Sequence, residues 1–262
     1  NEVYYMKLTL LFNVTSSDSL VLGRKNQYLL QAMVYNLLDP EYADFLHKEG
    51  FVYKGKRHFK LFSFSKLYSS APIKLKDDLV FFQPPIRLVI TSPINSILKQ
   101  LATNALSLGE IKLGNNLLTC KEVKIESPCV DSEEIECHTL SPIVCYSTLK
   151  KYDKSSFTYY YSPKEREFSE QIYANLIKKF QIIAPQEDIP DGTIKIEFTG
   201  RAREEVKFFS PRDNRPIKGW SGKFWLYGPK VLLQVALDAG LGAKNSAGFG
   251  CIELLSNERG RR

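Results

Sequence analysis

One tyrosine, one histidine and one lysine near the start of the chain have side chains suited to acid–base chemistry. His47 lies near the end of a predicted short helix, Tyr35 lies on the helix before it, and Lys60 begins a predicted strand after it. Histidine exchanges protons near neutral pH, whereas tyrosine is a poor base unless its pKa shifts. Such a trio suits metal-free RNA cleavage, in which a ribose 2′-hydroxyl attacks the adjacent phosphate and a cation stabilises the extra negative charge.

Two other side chains are alternatives to members of this trio. Tyr28 lies about two helical turns before Tyr35, so both side chains can share one helix face. His58 lies two positions before Lys60, and side chains two apart on a strand point the same way. The sequence has no carboxylate cluster with metal-ligand spacing, so we expect no metal ion and no other cofactor.

The composition favours a polyanionic partner, although charge alone is a weak indicator. The chain has 262 residues, a net charge of +7 and an isoelectric point near 9.0, which favours nucleic acid over a membrane surface.

The five cysteines form no CxxC pair, which is typical of reduced thiols in a cytoplasmic protein. No apolar run reaches the roughly 20 residues of a membrane span. We expect no signal peptide, residues 1–5 as an extension, and a cytoplasmic location.

A basic and aromatic segment in the second half is a candidate RNA-binding surface. Basic side chains contact phosphates and aromatic rings stack on unpaired bases. The alternative is a solvated strand edge over a packed aromatic core, and core packing is the better interpretation for Phe208, Phe224 and Trp225. The candidate RNA-binding residues of this segment are Arg201, Arg203, Lys207, Arg212 and Arg215.

A glycine-rich run near the C-terminus has the composition of a loop that approaches another chain closely. Its glycines are Gly240, Gly242, Gly248 and Gly250, and between them lie three further RNA-binding candidates, Lys244, Asn245 and Ser246. The alternative is a tight helix-to-strand connection. The run matches neither GxGxxG nor GxxxxGK[ST], because the required glycines are displaced, so it indicates no nucleotide site.

The pattern of apolar residues predicts the element order β-α-β-β-α-β twice. In the first half, strands are predicted at 6–13, at 58–65, at 79–82 with 86–91 (one strand broken at Pro84-Pro85) and at 111–125. Helices are predicted at 24–38, at 41–48 and after Ser92-Pro93, with Ser92 as the cap and Pro93 at the first helical position. In the second half, strands are predicted at 135–146, 193–199, 204–210 (with 223–227 as an extension) and 249–255, and helices after the capping box Ser162–Glu165 and at 229–239.

This order predicts an α+β fold of two tandem ferredoxin-like domains, RRM-like in topology, at residues 6–126 and 135–256. The boundary is expected in the polar stretch 127–134. The fold is shared by RNA-recognition domains and by unrelated enzymes, so it does not indicate function by itself. An ordinary RNA-recognition domain is disfavoured because no clean RNP1 motif is present.

Several segments together resemble the Cas6 family, CRISPR repeat-cutting endoribonucleases of the RAMP superfamily. The resemblance extends from Met6 to about Leu255, with the glycine run as its most specific part. The matching segments are 28–36, 45–47, 59–65, 141–143 and 240–253.

The resemblance implies that Tyr35, His47 and Lys60 are catalytic and that the partner is CRISPR repeat RNA within precursor transcripts. Cleavage would leave 2′,3′-cyclic phosphate and 5′-hydroxyl ends. The competing interpretation is a non-catalytic RNA-binding RAMP subunit of a CRISPR effector complex, which would not need His47. Effector-complex subunits and a second copy of the chain are further expected partners. An enzyme of small phosphorylated substrates is disfavoured, because no nucleotide motif is present.

Overall fold

The computed structural model describes residues 6–152 and 154–257, so the expected extension at residues 1–5 lies outside the described residues. The first half begins with a strand in which Leu8, Leu10 and Phe12 are buried on one face. Its elements are β1 (Lys7–Val14), β2 (Leu20–Gly23), α1 (Gln27–Asn36), α2 (Pro40–Lys48), β3 (Phe51–Tyr53), β4 (Arg57–Phe59), β5 (Ser63–Phe64), β6 (Lys74–Lys76), β7 (Leu79–Phe82), β8 (Ile86–Thr91), α3 (Asn95–Ser107), β9 (Ile111–Leu113) and β10 (Asn116–Glu126).

The main sheet of the first half is antiparallel with the order β5-β8-β1-β10-β9. Helices α1 and α3 place buried aliphatic side chains in the core that this sheet forms. Leaving out the short hairpin strand β9, the order β5-β8-β1-β10 with two crossover helices is that of a ferredoxin-like domain. Two smaller sheets, β2-β7-β6 and β3-β4, are added to it.

The second half repeats this topology. Its elements are β11 (Glu134–Thr139), β12 (Tyr146–Lys150), β13 (Ser156–Tyr160), α4 (Arg166–Ile183), β14 (Lys195–Phe198), β15 (Arg203–Phe208), β16 (Pro216–Ser221), β17 (Lys223–Tyr227), α5 (Lys230–Ala239), the 3-10 turn Asn245–Ala247 and β18 (Ile252–Ser256). The main sheet has the order β14-β17-β11-β18, and hairpins β12-β13 and β15-β16 are added to it.

The predicted α+β fold of two tandem ferredoxin-like domains is therefore confirmed. Each half has its own core of buried apolar side chains, one from Leu8 to Leu118 and one from Val130 to Ile252. We propose 6–126 and 135–256 as the domain limits on this basis. Among the described residues, no helix combines the length and the apolar character needed to cross a bilayer.

One predicted strand of the first half was wrong because the chain changes sheet within it. The predicted strand 58–65 is divided: β4 ends at Phe59 and pairs with β3, and β5 begins at Ser63 and pairs with β8. Between them Leu61 has a left-handed φ of 53°, which is incompatible with a continuous strand. The predicted segments 79–82 and 86–91 and the break at Pro84-Pro85 match β7 and β8. The prediction that both belong to one strand was wrong, because they lie in different sheets.

The predicted strand 135–146 was also wrong, because β11 ends at Thr139 and the chain enters a new hairpin at Tyr146. The predicted final strand begins later than expected, at Ile252, because Gly248 and Gly250 both have positive φ.

Of the two helices with predicted capping residues, α3 begins later than expected and α4 begins directly after its capping box. Helix α3 begins at Asn95, after Ser92 has accepted the backbone N–H of Ile94 at 3.0 Å. Helix α4 begins at Arg166, and the Glu165 carboxylate accepts the backbone N–H of Ser162 at 2.6 Å in the turn before it.

Candidate functional site

The structure brings Tyr35, His47 and Lys60 together at the C-terminal ends of α1 and α2. The Tyr35 and His47 rings lie edge to face, with their centroids 6.2 Å apart. The Lys60 ammonium donates a hydrogen bond to the backbone oxygen of His47 at 3.1 Å. The three side chains therefore come from two helices and from the segment that follows β4. Lys60 was expected to begin a strand, but it lies just beyond one.

The environments of the three side chains suit different tasks. Burial raises the pKa of the Tyr35 phenol to about 12, and a hydrogen bond with Ser246 opposes part of this rise. Tyr35 therefore keeps its proton at neutral pH and can donate a hydrogen bond but not act as a base. Burial lowers the pKa of Lys60 from its ordinary value. His47 is exposed, so its imidazole is open to a substrate.

The two alternative residues lie close by but in other contacts. His58 is exposed on β4, and its Nδ1 lies 2.6 Å from the backbone oxygen of Glu49. The expectation that His58 and Lys60 point the same way along one strand was wrong, because β4 ends between them. Tyr28 lies in the first turn of α1, and its backbone N–H donates to the Phe209 oxygen at 3.0 Å.

The glycine-rich loop, residues 240–250, packs between the two halves of the chain. At Gly248, φ is +85°, and a Cβ would overlap the Gln27 amide and the Phe64 ring. At Gly250, φ is +69°, and a Cβ would overlap the backbone oxygen of Leu241. Residues with a Cβ rarely adopt such backbone angles, so glycine is required for this close approach.

Two glutamines of α1 hold the glycine-rich loop against the first half. Gln27 donates to the Ala247 oxygen at 2.7 Å, and Gln31 donates to the Ser246 oxygen at 2.9 Å. The Ser246 side chain acts to lower the pKa of Tyr35, which burial raises. Ser246, predicted as an RNA contact, thus lies next to α1 and influences a candidate catalytic side chain.

The sequence analysis did not identify Lys179, which supports this loop from the second half. Lys179 is 1% exposed and donates to the oxygens of Ala239 (3.2 Å) and Gly240 (2.7 Å) and to the Asn245 side-chain oxygen (2.7 Å). The Asn245 amide nitrogen donates to Leu241 and Phe249 oxygens, each at 3.0 Å. The one sign of this role in the sequence was that this lysine directly precedes Phe180 on the apolar face of α4.

A cleft of about 640 Å³ lies between the Arg57–Phe62 segment, α4 and the glycine-rich loop. Of the trio, Lys60 lines this cleft and Tyr35 and His47 do not, whereas the alternative residue His58 lines it as well. None of the described residues that line it is Asp or Glu. Burial, followed by the charge of Arg57, lowers the pKa of Lys178, which is the effect expected where cations face one another. The cationic side chains along the cleft are Arg57, Lys60, Lys178, Lys179 and Lys244.

The loop residue Lys244 lies at this cleft as well. Its ammonium is 5.2 Å from the centre of the Tyr146 ring, a cation–π arrangement. Lys244 is the one residue of the predicted RNA-binding set whose charged group lines the cleft; Asn245 and Ser246 line it too but are hydrogen-bonded within the protein.

The other predicted RNA-binding residues lie elsewhere, on or beside the β15-β16 hairpin. Arg201 and Arg203 line a separate groove together with Trp220, and Arg212 and Arg215 are exposed at the hairpin end. Part of this charge is neutralised internally. The Arg215 guanidinium contacts the Asp213 carboxylate at 3.0 Å, so that its charge is balanced locally.

Glu205 neutralises a second group of cations on the hairpin. It accepts hydrogen bonds from Lys66 and Arg203, each at 2.8 Å, and lies 3.7 Å from Lys207. Burial by itself would raise the pKa of Glu205, but Lys66 foremost, and then the Ser221 hydroxyl and Arg203, lower it to about 2. The charge that remains available to a ligand here is therefore smaller than the sequence suggests.

Within the part of the chain that the structure describes, no group of three or more His, Cys, Asp or Glu side chains is placed to hold a metal ion. Cys137, Cys145 and Cys251 are buried free thiols. Their positions in the cores of the fold are typical of packing residues.

Replacing Gly248 by alanine should separate the glycine-rich loop from α1. The new Cβ meets Gln27 and Phe64 and requires an unfavourable φ, so we expect a loss of about 1–3 kcal/mol in the free energy of unfolding. Urea denaturation measures this loss. Gly109→Ala is the matched control, since a Cβ there meets nothing within 4 Å; equal stability of the two variants would contradict the packing described.

The chain is similar in sequence to known CRISPR-associated proteins. A family model described as "CRISPR associated protein Cas6, C-terminal" matches residues 123–254, which is 132 of 262 residues. The CRISPR-associated endoribonuclease Cas6 1 of Methanocaldococcus jannaschii is 27% identical over 241 residues, covering 88% of this chain and 87% of that protein. The CRISPR-associated endoribonuclease Cas6 of Pyrococcus furiosus is 26% identical over 238 residues, covering 89% and 83%.

A solved structure described as the characterization of a Cas6-related gene from Pyrococcus furiosus shares the fold. Its TM-score is 0.80 at 18% identity, covering 97% of this chain and 100% of that one. The family model covers the second half of the chain with the glycine-rich loop included, and the solved structure shares the fold over nearly the whole chain. The chain belongs to the Cas6 family.

Proposed function

We propose that this chain is an endoribonuclease that cleaves CRISPR repeat RNA in precursor transcripts to release guide RNAs. The observation that carries the proposal is the grouping of Tyr35, His47 and Lys60, with Lys60 lining a cationic cleft whose described lining includes no acidic residue. The two relatives named CRISPR-associated endoribonuclease Cas6 support the same activity.

The proposed reaction is an internal phosphoryl transfer that needs no metal ion. The ribose 2′-oxygen loses its proton and bonds to the adjacent phosphorus, and the bond from phosphorus to the 5′-oxygen breaks. The departing 5′-oxygen takes up a proton, so the products end in a 2′,3′-cyclic phosphate and a 5′-hydroxyl. His47 takes part in these proton transfers because an imidazole serves as acid or base near neutral pH.

The other two side chains act on charge and orientation. Tyr35 remains protonated, since burial raises its pKa to about 12, and it orients the reacting phosphate by donating a hydrogen bond. The Lys60 ammonium stabilises the negative charge that develops on the phosphorane oxygens, where a pre-placed cation is most effective.

The cleft binds the RNA backbone in this proposal. Its cations come from both halves of the chain, with Arg57 and Lys60 from the first and Lys178 and Lys244 from the second. A second contact region for flanking RNA lies on or beside the β15-β16 hairpin and consists of Arg201, Arg203, Lys207, Arg212 and Arg215.

We also propose that the protein is cytoplasmic. Its further proposed partners are effector-complex subunits and a second copy of the chain.

Removing the His47 imidazole should separate catalysis from binding. We expect His47→Ala to slow cleavage of a labelled repeat RNA at least about 100-fold, with little change in Kd, while wild-type protein cleaves in EDTA. His58→Ala serves as the comparison, since it tests the alternative histidine. Undiminished cleavage by His47→Ala would refute the assignment of His47, and a requirement for metal would refute the proposed chemistry. Absence of cleavage by the wild-type protein would favour the non-catalytic RNA-binding subunit.

Binding through the cleft should depend strongly on salt, because cations that neutralise phosphates release counterions. We expect Lys178→Ala and Lys244→Ala each to flatten the plot of log affinity against log salt by about 0.7, the value for one phosphate contact on a single strand. Fluorescence anisotropy with uncleaved RNA measures the slope. Lys99→Ala is the control, because Lys99 is exposed on α3 and does not line the cleft; it should leave the slope unchanged. An affinity independent of salt would contradict the electrostatic account.

A further inference from the structure

Lys179 is a buried cation whose hydrogen bonds are fully committed. An ammonium has three N–H donors, and Lys179 has three acceptors within 3.2 Å: the Ala239 and Gly240 oxygens and the Asn245 side-chain oxygen. Two of these acceptors are carbonyls at the C-terminal end of α5, where the helix dipole favours a positive charge. The three bonds together therefore define the position of the ammonium.

Fold stability alone does not account for a lysine at this position. Its hydrogen-bond partners within the described part of the chain include no carboxylate, and burial lowers its pKa to about 7. A buried charge without an ionic partner is often no more stabilising than a packed apolar residue. The cation does, however, join α4, the end of α5 and the glycine-rich loop at one point.

From Lys179 the contacts lead to the candidate catalytic site in two steps. Asn245 accepts from Lys179, and both of its amide hydrogens are used on Leu241 and Phe249 oxygens, so its side chain is held at both ends. The next residue, Ser246, accepts from Gln31 through its backbone oxygen at 2.9 Å, which places it beside α1 one helical turn before Tyr35. Its side chain also acts to lower the pKa of Tyr35, which burial raises.

We propose that Lys179 is a positioning residue that fixes Asn245 and thereby places the Ser246 hydroxyl against the Tyr35 phenol. The proposal rests on the proposed function, in which Tyr35 orients the reacting phosphate. It makes the geometry of a site in the first half depend on a cation in the second. It also assigns Asn245 to loop support, where sequence analysis predicted an RNA contact.

The test is a mutant cycle measured by single-turnover cleavage with protein in excess, with Kd measured separately. Asn245→Ala removes the link to the loop but leaves the bonds between Lys179 and the end of α5. We expect Asn245→Ala, Lys179→Met and Ser246→Ala each to slow cleavage about tenfold, the effect of one lost hydrogen bond, with Kd changed less than about threefold. Because the residues act in series, Asn245→Ala/Ser246→Ala should be no slower than Ser246→Ala alone.

A spectroscopic measurement follows the same contact without cleavage. In protein labelled with ¹³Cζ-tyrosine, with the Tyr35 signal assigned by Tyr35→Phe, we expect Asn245→Ala and Lys179→Met to move that signal and Lys99→Met to leave it in place. If Lys179→Met does not fold, as judged by circular dichroism at the assay temperature, Asn245→Ala carries the test.

Three results would overturn the proposal: rate effects that multiply in the double variant, a raised Kd with an unchanged cleavage rate, or an unmoved Tyr35 signal. A wild-type protein that does not cleave repeat RNA would refute the proposed function instead, while the Tyr35 signal would still report on the Lys179 contact.

Discussion

The contact between the glycine-rich loop and helix α1 is the constraint on which the rest of the site depends. The loop approaches so closely that a Cβ at Gly248 would occupy the space of Gln27 and Phe64. Backbone oxygens of the loop accept from Gln27 and Gln31, which satisfies polar groups that would otherwise be buried without partners. One short segment thus connects two domains that each have a separate core, and it brings Ser246 to Tyr35.

The distribution of charge follows from the same arrangement. Where the halves meet, cations from both line a cleft whose described lining has no acidic side chain, and like charges held in this way repel one another. On the β15-β16 hairpin, by contrast, Glu205 and Asp213 neutralise neighbouring arginines and lysines. The cleft therefore has unbalanced positive charge, which a phosphate backbone would balance, whereas much of the hairpin charge is already balanced.

Local pattern predicted much of the fold and the composition of the site. The apolar stripe of α4, with Phe168, Ile172 and Leu176 all buried, follows directly from helical spacing. The topology follows from element order. The end of one strand and the start of another around Leu61 could not be predicted. The aromatic residues on both sides have the pattern of a single strand, and the change of sheet depends on tertiary packing. The short hairpin strands, such as β16, have too little alternation to stand out.

The contacts within the site were beyond sequence reasoning for a different reason. Gln31 and Ser246 are 215 positions apart, and no local rule brings them together. Lys179 and Asn245 likewise have ordinary sequence surroundings, and their roles depend on where α5 ends. A lysine on an apolar helix face was the one local sign, and it indicates burial without naming a partner.

The central claim is that the grouped side chains promote attack by the ribose 2′-hydroxyl of a repeat RNA held in the cleft. A repeat RNA with a single 2′-deoxynucleotide at the cleavage position tests this most directly, with binding and cleavage both measured in EDTA. The account predicts an unchanged Kd and no cleavage at that position, whereas the all-ribose RNA yields a 2′,3′-cyclic phosphate. Cleavage of the 2′-deoxy substrate at the same bond would contradict it.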